Sequence, residues 1–143
     1  MSKIRLGSED IQVINLFEKI TKAKAEDLVE HEGTLCFLVR KEDMGMAIGK
    51  KGANIEKVRN ALGKNVQILE YSDNQEEFIK NIFHPAEIQA VRVSKSGKGD
   101  NVVVTTEKKN KKIVIGPGGS RIKLARRLLD RYFNLKDVII EAK

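Results

Sequence analysis

The chain carries one motif twice. Residues 48–55 read Ile-Gly-Lys-Lys-Gly-Ala-Asn-Ile, and residues 115–122 read Ile-Gly-Pro-Gly-Gly-Ser-Arg-Ile. The match continues in register past the glycines, where Ile55, Val58, Arg59 and Leu62 correspond to Ile122, Ala125, Arg126 and Leu129. In each copy the apolar positions fall at i, i+3 and i+7, one face of a helix. Two copies in this register must bury the same face in the same way, so the chain is expected to build one small unit twice.

The rest of each half supports that expectation. A short apolar strand follows each helix, at 66–69 and 138–140, and another precedes each glycine loop, at 35–39 and 102–104. Short helices over 42–48 and about 109–115 fit between those strands and the loops. The first half opens with a helix capped by Ser8. Glu9 and Asp10 suit its positive end, and Val13, Leu16, Phe17 and Ile20 form its buried face. The second opens with a helix capped by Asp73 or Asn74 that runs through Phe78, Ile79 and Ile82 and stops at Pro85. A strand follows each opening helix, weak over 25–29 and clearer over 87–93, where Val91 and Val93 alternate with Arg92 and Ser94. Gly97-Lys98-Gly99-Asp100 reads as a hairpin turn, and 108–112 as a basic approach to the second loop. The expected class is α+β, with two domains, 1–72 and 73–143, each a three-stranded sheet packed against helices. The polar stretch at 72–75 is too short for a flexible tether, which predicts domains held at a fixed angle along one continuous ligand track.

Each glycine loop feeds a helix N-terminus. Glycines allow a tight turn and a close backbone approach. The free N–H groups and partial positive charge of the helix end suit a phosphate. In the first loop, Gly49-Lys50-Lys51-Gly52, two lysines add mobile cations, and Ile48 and Ile55 are placed to floor an apolar groove. The second loop departs from this pattern. Pro117 removes an amide donor and no lysine lies between the outer glycines Gly116 and Gly119. Gly118 restores freedom there, and Arg121 and Lys123 follow closely. Lys123, Arg127 and Arg131 stack at i, i+4 and i+8, where like charges repel by roughly a few tenths of a kcal/mol per pair. An anion would neutralise the stripe; otherwise it is a solvated face opposite Ile122, Ala125 and Leu129.

Composition narrows the partners. The 143 residues are 41% hydrophobic and 33% charged, with a net charge of +7, which fits a soluble folded protein and favours a polyanion. Residues 1–72 carry 12 basic against 11 acidic side chains, and residues 73–143 carry 15 against 9, so the second half holds nearly all the excess. The single cysteine, Cys36, excludes an internal disulfide and a thiolate zinc site, and its apolar neighbours predict a small buried residue. No signal core lies in residues 1–10 and no stretch approaches a membrane span, so a cytoplasmic protein without membrane association is expected. Neither loop is GxxxxGK[ST], and neither is GxGxxG after a strand. His31 and His84 are isolated in sequence. No enzyme, cofactor or metal is expected.

The Ile-Gly-x-x-Gly-x-x-Ile core, seen twice, resembles the KH motif, whose glycine loop clamps the backbone of about four nucleotides. The leading helix and strand resemble the arrangement called type II. The pair AIGKKGANIEKVRNALG and VIGPGGSRIKLARRLL, over essentially the whole chain, resembles the NusA family, specifically its short archaeal members. The resemblance implies binding of single-stranded nascent RNA and a role in transcription elongation, termination and antitermination. Its site would comprise Ile48, Gly49, Lys50, Lys51, Gly52 and Ile55, then Ile115, Gly116, Pro117, Gly118, Gly119, Arg121, Ile122 and Lys123. Single-stranded RNA is the expected ligand of a monomer, with RNA polymerase as protein partner. The alternative is a ribosome-assembly or translation role beside ribosomal proteins. Longer NusA proteins carry a polymerase-binding region and an oligonucleotide-binding barrel before their KH pair. Here Ser8 already opens the first KH helix, and neither is expected.

Overall fold

The computed structural model describes residues 8–95 and 97–143, Ser8 by its backbone alone, so the expected Ser8 cap lies outside the described side chains. The chain divides into two compact units, one ending at Ser72 and one running from Asp73 to Lys143. The first is built from α1 (Ser8–Thr21), β1 (Ala25–His31), β2 (Thr34–Arg40), α2 (Met44–Ile48), α3 (Ala53–Leu62) and β3 (Asn65–Tyr71). The second repeats the order with α4 (Gln75–Phe83), β4 (Ile88–Ser94), β5 (Asp100–Thr106), α5 (Lys111–Ile115), α6 (Ser120–Phe133) and β6 (Leu135–Ala142). Each short helix is entered through one turn of 3₁₀ helix, Lys41–Asp43 before α2 and Lys108–Asn110 before α5.

Connection lengths dictate the sheets. Glu32 and Gly33 both take positive φ, 49° and 81°, as a tight two-residue hairpin turn requires, so β1 and β2 pair antiparallel. The path from β2 to β3 passes through two helices, long enough for a crossover, and these strands pair parallel. The result is a mixed sheet in the order β1-β2-β3, and the second unit forms β4-β5-β6 in the same senses. Both antiparallel pairs shift register at the same place, between Ala25 and Asp27 and between Ile88 and Ala90, a bulge present in each copy.

Helices cover one face of each sheet. In the first unit the Phe17 and Phe37 rings stack 4.2 Å apart, among Leu28, Leu35, Val39, Ala47, Val58 and Val66. Phe17 sits at the centre of the buried face of α1, and its helical neighbours Val13, Ile14 and Ile20 pack around it. Leu16, expected on that face, is half-buried on its flank, and Ile14 joins the packing. Thr21 is buried at the helix end, where its hydroxyl donates to the Phe17 carbonyl at 2.8 Å and accepts from the Ala23 N–H at 3.0 Å. Cys36 is buried, as its neighbours predict.

The second unit buries Phe78, Ile79, Ile82 and Phe83 of α4 with Val102 and Val104 of β5 and Leu124, Ala125, Leu128 and Leu129 of α6. Asn74 caps α4, its Oδ1 accepting from the Glu77 N–H at 2.8 Å. The buried stripe of α6 is therefore Leu124, Ala125, Leu128 and Leu129, while Ile122 in its first turn is half-buried beside the loop. The strand predicted from the alternation of Val91 and Val93 with Arg92 and Ser94 forms, but without a buried face at its far end. β4 is an edge strand buried only at Ile88, and Val93 is 42% exposed. Among the described residues no helix is long and apolar enough to cross a membrane, and no group of His, Cys, Asp or Glu is placed to hold a metal ion.

Candidate nucleic-acid interface

The two glycine loops follow one backbone path. Gly49 has φ 78° and ψ 170°, and Gly116 has φ 77° and ψ 167°. Lys51 at φ 55° and ψ 29° matches Gly118 at φ 61° and ψ 20°. Gly52 and Gly119 close the loops in the left-handed region, at φ 77° and 80°. The first glycine of each loop is obligatory. A Cβ at Gly49 would lie 2.7 Å from the backbone nitrogen of Asn54, and one at Gly116 would lie 2.7 Å from that of Arg121. Pro117 does not disturb the path, because its fixed φ suits the first position of a 3₁₀ turn.

Hydrogen bonding inside the loops also repeats. The Gly49 N–H donates to the Gly45 carbonyl at 2.8 Å, and the Gly52 N–H to Gly49 at 3.1 Å. Gly116 donates to Lys112 at 2.9 Å, and Gly119 to Gly116 at 3.0 Å. Both lysine side chains, Lys50 and Lys51, are exposed. Two ammonium groups thus stand at the start of α3, beside the positive end of the helix, an arrangement suited to a phosphate. In the second loop Pro117 offers no amide there.

An apolar flank adjoins each loop. Met46 and Ile48 of α2 are 44% and 38% exposed, and Ile113 of α5 is 41% exposed beside half-buried Ile115. Helices α2 and α3 pack on β3. Pairing Phe37 with Ile68 and Val104 with Ile140 puts those half-buried isoleucines on the helix-bearing face of each sheet. Ile48 is exposed beside the loop, whereas Ile55 packs against the core. Met46 and Ile113 escape a reading centred on the glycines. The available signal is an apolar residue two places before the loop isoleucine in both copies.

Arg121 is held by the fold. Its Nη1 donates to the carbonyls of Ile82 at 2.8 Å and His84 at 3.3 Å, at the C-terminal end of α4. Its counterpart Asn54 donates to the Met46 carbonyl at 2.7 Å and ties α3 to α2. Lys123 reaches back to the loop, with its Cε 3.7 Å from where a Cβ on Gly119 would stand. Lys123 and Arg127 are exposed and Arg131 is half-buried, on the side of α6 away from its buried leucines. Lys111, Lys112, Ile115, Gly116 and Pro117 line an open groove of about 570 Å³.

The KH-domain profile matches residues 13–95, and the profile of the NusA-like second KH domain matches residues 75–143. The probable transcription termination protein NusA of Methanococcus vannielii is 36% identical over 140 residues, 98% of this chain and 81% of that protein. The chain belongs to the NusA family. A NusA of the same description from Methanocaldococcus jannaschii is 35% identical over 96% of this chain and 75% of that one. The crystal structure of APE1850 superposes with a TM-score of 0.85 at 33% identity, over 95% of this chain and 100% of that one. The two repeats are KH domains, and KH domains are RNA-binding modules. The NusA family is one of transcription factors rather than enzymes.

Proposed function

We propose that the chain binds single-stranded RNA at its two glycine loops and acts on nascent transcripts in elongation and termination, in contact with RNA polymerase. The observation that carries this reading is the glycine-loop backbone shared by both repeats, each with an exposed apolar flank beside it. In the first unit Gly49, Lys50, Lys51 and Gly52 hold phosphates while Ile48 faces the bases. In the second, Gly116, Pro117, Gly118 and Gly119 shape the same turn, Ile115 supplies the flank and Lys123 returns a cation. Ile55, Ile122 and Arg121 position the loops. An unpaired strand is required because base edges reach such a groove only when splayed out of a helix. The names of the archaeal relatives support the assignment to termination.

Crosslinking the protein to RNA in cells and sequencing the bound fragments tests the role. Nascent transcripts near their 3′ ends are expected, with RNA polymerase co-purifying; enrichment of ribosomal RNA alone would redirect the assignment to ribosome assembly. In vitro, the double substitution Lys50→Asp and Lys51→Asp should cost at least about tenfold in affinity for single-stranded RNA, since two charge-assisted contacts become repulsive. Wild-type affinity in that folded variant would remove the first loop from the site.

A further inference from the structure

We infer that the groove beside the second loop, lined by Lys111, Lys112, Ile115, Gly116 and Pro117, seats one unpaired nucleotide, its phosphate held by Lys111 and Lys112 and its base or ribose against Pro117 and Ile115. The inference rests on the RNA-binding reading above and adds a contact outside the glycine loop.

The argument begins with a loss. The loops share a backbone, yet Lys50 and Lys51 of the first correspond to Pro117 and Gly118 of the second, so two cations are missing where the backbone still turns toward a ligand. Aligning the repeats at Ile48 and Ile115 shows where cations reappear. Lys111 and Lys112 stand at the positions of Met44 and Gly45. Both are exposed, and among the described residues no ion pair engages either one. Neighbouring Lys109, by contrast, lies 3.5 Å from Glu107. The turn leading into α2 is Lys-Glu-Asp, with one cation against two anions, whereas the turn leading into α5 is Lys-Lys-Asn, with two cations and no anion.

Shape complements charge. The groove volume of about 570 Å³ lies in the usual range of roughly 300–1,000 Å³ for small-ligand sites. Its lining combines a proline, an isoleucine and two lysines, a residue type whose carbon stem can cover apolar surface while its ammonium group stays in water. An apolar wall rimmed by two cations matches a nucleotide, with a flat base at one end and a phosphate at the other. The second unit would then grip the strand from the helix before its loop, where the first unit grips it from within the loop.

Fluorescence anisotropy of a labelled single-stranded RNA, titrated with the intact protein over a salt series, tests this. Lys111→Ala with Lys112→Ala should weaken binding about tenfold and flatten the log–log salt slope by about 0.7 for each lysine. Lys108→Ala with Lys109→Ala removes the same charge from the turn outside the groove and should weaken binding less than about threefold. All four side chains are exposed, and circular dichroism melting verifies that both variants fold. Equal losses in the two variants would show a general basic field and overturn the subsite, as would no loss in the first. A protein that binds no single-stranded RNA at all would overturn the functional reading itself. Binding that is lost with Lys50→Asp and Lys51→Asp but kept with Lys111→Ala and Lys112→Ala would overturn only this inference.

Discussion

Lys51 and Gly118 occupy the same left-handed backbone conformation, one with a side chain and one without. For a residue other than glycine, that conformation costs roughly 1–2 kcal/mol. In the first loop the cost accompanies a cation placed at a helix N-terminus. The first glycine of each loop is different in kind. At φ 78° and ψ 170°, Gly49 lies in a region essentially closed to other residues, and a Cβ there would collide with the backbone nitrogen of Asn54. Gly49→Ala should therefore lower stability by at least about 2 kcal/mol in urea denaturation. Nothing lies within 4 Å of a Cβ at Gly118, so Gly118→Lys should cost only the left-handed penalty of about 1–2 kcal/mol. It should also tighten RNA binding several-fold by restoring the lysine that Lys51 represents. Equal destabilisation by Gly49→Ala and Gly118→Lys would contradict this account of the loop.

Helix α6 and strand β6 are joined by an ion pair that a pH titration can read. The Arg126 guanidinium donates to the Asp137 carboxylate at 2.8 Å, and the Val138 N–H donates to the same oxygen at 2.7 Å. The arginine first, then the backbone amide, holds the Asp137 pKa below the ordinary carboxylate value, against a smaller opposing effect of burial. A carboxylate depressed in the folded state stabilises the fold at pH above its unfolded pKa, and that stabilisation disappears as pH falls through the folded pKa. Arg126→Ala should raise the Asp137 pKa measured by carboxyl ¹³C shifts. The stability difference between wild type and variant should be present at neutral pH and shrink in acid. A difference that stayed constant down to low pH would mean that Arg126 acts through packing. The effect will be small, because both side chains are about half exposed.

Across the whole molecule, the proposed RNA-binding function predicts that the two KH domains take hold of one strand. Each is expected to clamp about four nucleotides, so affinity should climb with the length of unpaired RNA up to about eight nucleotides or more. The climb past four should be steep, since the second contact is intramolecular once the first is made. A length series of single-stranded RNAs against the intact protein checks this, and the variant Lys50→Asp with Lys51→Asp should flatten the curve. Saturation at four nucleotides would show that the domains bind separately. With a net charge of +7 concentrated in residues 73–143, the same binding should weaken as salt rises.

The duplicated core carried most of the architecture in plain view. Apolar residues at i, i+3 and i+7 after each glycine loop fit one face of a helix, and the strand runs on either side are short and mostly apolar, so element order was legible residue by residue. Ile48 and the loop glycines were legible too, because glycine at a strained turn is a local requirement. Burial beyond one element was not. Val93 alternates with Arg92 and Ser94 but is exposed on an edge strand, and Leu16 looks apolar enough for the core but sits on the flank of Phe17. Arg121 reads as a cation near a loop, yet its guanidinium reaches carbonyls at the end of α4, far back in sequence. The exposure of Met46 and Ile113, and the groove that brings Lys111 and Lys112 beside Pro117, likewise depend on which elements pack together. Backbone conformation follows from neighbouring residues, whereas exposure and side-chain partners are set by elements distant in the chain, and those only the folded structure brings together.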